Sequence, residues 1–323
     1  MASTGAQHGR GRESRQPTQI PARGWTDVFT RVIRQQGEDN LSIVAAGVAF
    51  YALLALLPAL TAAISVYALV ADPAQVQQQV QGLAQLMPDQ AQRLVSNELG
   101  RIASSSGGAI GVGLIGGLLV AFWSASKGTK SLLTALNIAY NEHEDRGFLR
   151  FNAIGLGLTV VLVLGAVLAI GLVVALPIAL TALGLGGWAG MAVSLARWVI
   201  LGVGVIAALA VLYRFGPSRQ PAEWSWVTPG SIAATVLWLV ASILFSIYVA
   251  NFGNYNATYG TLGAVILLLL WFQISAYIVL LGAEINSESE RQTREDSTGQ
   301  SAELGARNAR AADTVGAARN ERK

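Results

Sequence analysis

Cysteine is missing from all 323 residues, and histidine occurs only at His8 and His143. Disulfides and thiolate metal sites are therefore excluded, and no zinc cluster can be assembled from the usual ligands. Charge is scarce as well. Asp, Glu, Lys and Arg make up 13% of the chain, where roughly a quarter is usual in a soluble domain. The net charge of +3 is too small to mark a nucleic-acid partner. No phosphate-cradling P-loop pattern is present, which argues against an ATP-driven pump in this chain alone. With no catalytic constellation, the sequence is expected to be neither an enzyme nor a cofactor carrier.

What the chain has in abundance is apolar side chains, 53% of the total, gathered into long blocks. About 20 apolar residues in helix match the hydrocarbon thickness of a bilayer. Six blocks meet that length: Leu41–Val70, Ala109–Ser126, Ala153–Leu180, Met191–Phe215, Pro229–Phe252 and Thr261–Ala283. The expected fold is all-α, a polytopic membrane bundle of six transmembrane helices. Residues 1–23 read as a polar, disordered cytoplasmic tail rather than a signal peptide, because they lack an apolar core. Residues 24–286 read as the membrane domain. Residues 287–323, rich in Ala, Arg, Glu, Ser and Gly, read as a second disordered tail.

Orientation follows from the lysines and arginines. With six spans, 19 of them fall on the side that holds both termini, the loop after span two and the loop after span four. Only Arg93 and Arg101 lie in loops on the other side, while Arg197 sits inside span four. The bias places both termini in the cytoplasm.

Outside the spans, Trp25, Val28, Phe29, Val32 and Ile33 share one helical face beside Arg31 and Arg34. That pattern fits an amphipathic helix on the cytoplasmic interface, or one packed on other cytoplasmic segments. In the large external loop, Val76, Val80, Leu83 and Met87 mark one amphipathic helix. Leu94, Val95, Leu99 and Ile102 mark another behind an Asp89 cap.

Two polar clusters are candidate sites, because polar groups at membrane depth are costly. The first joins spans five and six: Asn251, Asn254, Tyr255, Asn256, Thr258 and Tyr259, with Gly253 and Gly260 between them. It reads either as the lining of a polar pathway or as an interfacial loop anchored by tyrosine. The second lies at the cytoplasmic end of span two, where Lys127 and Lys130 stand three residues apart. Either both lysines snorkel to the surface, or one turns inward to bind an anionic headgroup or substrate. Glu284, at the cytoplasmic end of span six, is their expected charge partner. Asn141–Arg146 is acidic enough to attract a cation, but reads better as a hydrated turn. Tyr51 and Pro58 mark a candidate kink in span one, where Pro removes a helical hydrogen bond.

Four stretches carry a family resemblance: AAGVAFYALLALLP (45–58), FWSASKGTKSLLTALNIAY (122–140), LYRFGPSRQPAEWSWV (212–227) and the run 228–286 containing ANFGNYNATYGTLGAVILLLLWFQISAYIVLLGAEIN. In this order they resemble the YihY/BrkB family of bacterial inner-membrane proteins, over about residues 25–287. The resemblance implies six transmembrane helices. Members have carried a ribonuclease BN label or a link to serum resistance and virulence. The resemblance supplies no catalytic residues, and the absence of a metal cluster and a basic groove gives the ribonuclease label no support here. The expected function is transporter-like or lipid-handling. The alternative is a non-transporting protein that supports envelope integrity or virulence through partners. The expected partners are the bilayer and an anionic lipid or small-molecule substrate, and no nucleic acid. The sequence leaves the substrate and the oligomeric state open.

Overall fold

The structure, a computed structural model, describes residues 10–11, 14–70, 110–176, 187–219, 222–251 and 261–293. Among them the chain is entirely helical, with no strand. A short 3-10 turn, Pro17–Gln19, leads into α1 (Ala22–Glu38). Six long helices follow: α2 (Leu41–Val70), α3 (Ile110–Ala139), α4 (Phe148–Ile170), α5 (Gly187–Phe215), α6 (Trp224–Asn251) and α7 (Thr261–Arg291). A π-helical turn, Gly171–Ala175, continues α4.

These helices fall on the six apolar blocks. Four segments are long and apolar enough to cross a membrane: Phe148–Val173, Gly190–Phe215, Trp224–Ala250 and Gly263–Arg291. A fifth is present if Ala22–Glu38 and Leu41–Leu56, which meet at 64°, form one bent span. The described residues therefore support four or five of the six expected spans by length and composition. The sharp bend lies between Glu38 and Leu41, where Asn40 takes a left-handed φ of 51°. Asn tolerates that region because its short polar side chain can bond locally. Here its Nδ2 donates to the Glu38 carbonyl at 3.3 Å. Helix α2 itself runs through Pro58.

The chain forms two compact units. The first comprises residues 1–50, 131–151 and 199–323. In it α7 packs along α6 and against α1. Val28 and Val32 of α1 bury against Ile285 of α7, flanked by Trp25, Ala233 and Leu281. The apolar face expected on α1 is thus divided. Phe29 and Ile33 stay exposed while their neighbours are covered. The second unit comprises residues 51–130 and 152–198. There Ala121 and Val163 pack together beside Phe122. Large apolar residues face outward in each unit, Val161 and Leu168 in the second and Leu239 and Ile243 in the first. Such faces are what a helix presents to lipid, which replaces water as the solvent.

Ordered structure extends into both segments read as tails. The helix of the span expected over Thr261–Ala283 continues to Arg291, past the expected start of the tail at 287, and residues 285–293 are buried throughout. Ala283 to Thr293 contains no Gly or Pro, and Glu, Arg and Gln sustain a helix. At the other end, Arg10 lies within the expected disordered tail, yet its guanidinium holds Asp27 at 2.8 and 2.6 Å. The external loop helices expected over residues 76–102 lie outside the described residues.

Candidate functional site

A segment reading Glu284-Ile-Asn-Ser-Glu-Ser-Glu-Arg-Gln-Thr carries four charges, a composition that ordinarily meets water. Instead it is buried, and each charge must be balanced where it stands. Glu288 lies between two guanidinium groups. Arg31 of α1 donates from Nε at 2.5 Å, and Arg291 donates from Nη1 at 2.7 Å. Arg31 also reaches the Glu288 carbonyl and Gln292 Oε1, at 3.0 and 2.7 Å. Gln292 in turn donates to the Arg10 carbonyl at 2.8 Å. The two ends of the described chain are thereby laced together.

Glu290 takes a different partner. Arg219, in the turn after α5, grips it with two parallel hydrogen bonds of 2.7 and 3.0 Å. Both side chains are completely buried. The planar fork of arginine matches a carboxylate in this way and a lysine does not. The same guanidinium lies 4.1 Å from the centre of the Tyr140 ring. Burial works against the charge on Arg219, but Glu290 outweighs it and the group is held more firmly protonated than usual. Burial pushes the Tyr140 phenol well above its ordinary range, with Arg219 pulling the other way.

Two asparagines complete the first unit's network. Asn286 Oδ1 accepts from the Gly230 N–H at 2.7 Å, and its Nδ2 donates to the Val227 carbonyl at 3.2 Å. It thus bonds the backbone of α6 beside Pro229, where the helical ladder lacks a donor. Asn137, near the end of α3, accepts from Ser218 N–H at 2.8 Å and donates to Glu144 at 2.9 Å. Glu144 is also gripped by Arg146 at 2.6 Å. Burial alone would raise the Glu144 carboxyl; the hydrogen bonds from Arg146 and Asn137 outweigh it and hold it below the usual range. The acidic run 141–146 is therefore a turn whose Glu144 already has internal partners.

The second unit has its own polar interior. Lys130 Nζ donates to Asn152 Oδ1 at 2.8 Å and lies 4.7 Å from the Trp123 ring centre. Gly155 leaves room for the Lys130 stem; a Cβ there would meet Lys130 Cγ at 2.6 Å. One turn away, the hydroxyls of Thr129 and Thr159 share a hydrogen bond of 2.8 Å, and both residues are buried. Of the two candidate lysines, Lys130 turns toward α4 while Lys127 is exposed. Glu284 belongs to the other unit. The charges acting on it there are Asp39, Glu288 and Arg291.

Asn251 ends α6, and Asn254, Tyr255, Asn256, Thr258 and Tyr259 lie outside the described residues. The sequence offers no local sign of the pairings with Arg31 and Arg219. These partners lie 257 and 71 residues from the carboxylates they bind. The segments around Tyr140, Arg219 and Asn286 that carry the family resemblance do converge in this network.

Comparison with known proteins places the chain in a family. A family profile described as "Virulence factor BrkB" matches residues 32–305. The chain is 29% identical over 270 residues to the ribonuclease-like protein YfkH of Bacillus subtilis, covering 81% of this chain and 93% of that one. It is 28% identical over 263 residues to the UPF0761 membrane protein RSc1559 of Ralstonia nicotianae, covering 78% of this chain but 56% of the relative. It is 29% identical over 269 residues to the UPF0761 membrane protein MADE_1017605/MADE_1018330 of Alteromonas mediterranea, covering 80% and 86%. No solved structure matches the chain.

Proposed function

Because the chain belongs to the BrkB family of membrane proteins, we propose that it is a six-span inner-membrane protein that moves or holds a lipid or other amphiphilic molecule. Both termini are cytoplasmic, and it performs no hydrolysis. The observation that supports this reading is the polar interior of the second unit. Lys130, Asn152, Thr129 and Thr159 meet inside helices whose outer faces carry large apolar side chains. Ionisable groups kept within membrane helices mark substrate or ion pathways more often than scaffolding. The acidic or amide headgroup of a lipid is the class of ligand that Lys130 and Asn152 suit. Whether the external segment 251–259 extends the pathway is part of the same proposal.

The test is flux. Purified protein in liposomes is given fluorescent anionic and zwitterionic lipids and a panel of small anions. Faster movement of one class than in empty liposomes is expected, with Lys130→Met reducing it several-fold while the protein still folds. No movement of any probe by folded protein would favour the alternative, a non-transporting role in envelope integrity through partners.

Topology can be tested independently, because a chain without cysteine turns any introduced cysteine into a unique label. A membrane-impermeant maleimide should label Gln78→Cys in intact cells and Ser301→Cys only after permeabilisation. The reverse pattern would invert the orientation.

A further inference from the structure

Arg214 and Arg219 both belong to the junction between α5 and α6, and they are held in different ways. Arg219 is gripped by Glu290. Arg214, in the last turn of α5, has no such partner. Its guanidinium lies 4.5 Å from the centre of the Trp224 ring and 5.5 Å from that of Phe215. Both distances are within cation–π range. The two rings meet edge to face at 6.1 Å. Arg214 Nε is enclosed and meets no acceptor, whereas the two Nη groups are not enclosed. Among the described residues no carboxylate pairs with Arg214. Glu223, beside Trp224, is exposed and makes no ion pair with it. A cation in a last turn ordinarily serves the helix dipole by bonding a terminal carbonyl. Here the Leu212 carbonyl takes the Gly216 N–H at 2.8 Å, and Arg214 bonds no carbonyl among the described residues.

The rings therefore fix the guanidinium without using its Nη donors. Phe215 ends one segment long and apolar enough to cross a membrane, and Trp224 begins the next. The cation thus stands where two such segments meet water. Both rings are about half exposed, 44% for Phe215 and 50% for Trp224, and tryptophan favours the headgroup level of a bilayer. Two Nη groups donating in parallel match the two non-bridging oxygens of a phosphodiester. A zwitterionic headgroup brings its own ammonium beside the phosphate and suits a lone cation less well, whereas an anionic one supplies the missing counter-charge. We propose that Arg214, Phe215 and Trp224 form a binding site for the phosphodiester of an anionic phospholipid. The Nη groups donate to the phosphate, and the two rings face the glycerol and the upper acyl chain. The site belongs to the first unit and Lys130 to the second. Binding here holds whether or not the protein transports anything, and its test is separate from flux.

The full chain in phosphatidylcholine nanodiscs is given a small fraction of phosphatidylglycerol, or of phosphatidylcholine, carrying a nitroxide high on its acyl chain. The chain has 8 Trp, so quenching of Trp224 is read as the difference between each chain and its Trp224→Phe counterpart. In the wild type, phosphatidylglycerol is expected to quench Trp224 several-fold more than phosphatidylcholine does. Arg214→Gln is expected to abolish that preference and Lys130→Met to keep it. Arg214 gives up no internal hydrogen bond or ion pair, so Arg214→Gln is expected to melt as the wild type does in lipid-free detergent. Inorganic phosphate, against chloride of equal ionic strength, is expected to leave the preference intact. If phosphate removes it, the site takes a free anion and not a lipid. Equal quenching by the two lipids in the wild type, a preference that survives Arg214→Gln or is lost in Lys130→Met, or an Arg214→Gln chain that does not fold would each overturn the site.

Discussion

Glu290→Gln is expected to destabilise the folded protein by about 3–5 kcal/mol, the usual cost of removing one member of a buried ion pair. The substitution keeps the size and shape of the side chain, so no cavity is made. What it removes is the charge that balances Arg219. That guanidinium is fully enclosed, lies against the Tyr140 ring, and has no route to water. The loss is measured as the drop in melting temperature of detergent-purified protein. A companion variant separates charge from packing. Replacing both partners, Arg219→Met with Glu290→Leu, leaves no unpaired charge and is expected to recover most of the loss. If the single substitution is as stable as the wild type, Arg219 is not desolvated as the structure has it.

Gly230→Val is expected to be of similar size, about 3 kcal/mol, at the upper end of what overpacking costs. The cause here is backbone rather than charge. Helices α6 and α7 approach so closely that a Cβ on Gly230 would collide with the Gly282 carbonyl and would lie 2.6 Å from the Asn286 amide. A carbonyl fixed within a helix cannot swing aside as a flexible side chain can. The helices must separate, and the bonds from Asn286 to the Gly230 N–H and the Val227 carbonyl are lost with them. Reduced yield of folded protein and a lower melting temperature are the readouts. Gly157→Ala serves as the control, since no atom lies within 4 Å of a Cβ built there.

The long helices are legible because a bilayer imposes a length and a composition that a hydropathy count detects directly. Leu41–Val70 and the start at Thr261 agree with the helices observed. The same count fails where charge is buried. It treats Glu288, Glu290 and Arg291 as signs of water, and so ends α7 too early. Their burial becomes favourable only through Arg31 and Arg219, which no local pattern connects to them. Counting arginines for orientation shares that blind spot, since it treats every cation as solvated.

The candidate site is legible in part. The pair Lys127 and Lys130 emerges from spacing, but spacing does not say which of them turns inward. That is decided by Asn152 and by the space at Gly155, both on α4. Glu284 stands out as a charge at a span end, whereas its environment, Asp39 above all, arises from a bend set by one asparagine in a left-handed conformation. No periodicity announces such a bend.

The pairing of α1 with the end of α7 also bears on how the protein is made. Residues 28, 31 and 32 leave the ribosome long before their partners, Ile285, Glu288 and Gln292, Arg31 and Glu288 being 257 residues apart. At ordinary rates of translation the interval is on the order of tens of seconds. Throughout it, the apolar face of α1 and the cation of Arg31 wait for a segment not yet made. A nascent chain stalled before residue 285 leaves them uncovered, open to proteases that survey unfinished membrane proteins. The last turn of α7 therefore covers a face of α1 made 257 residues earlier.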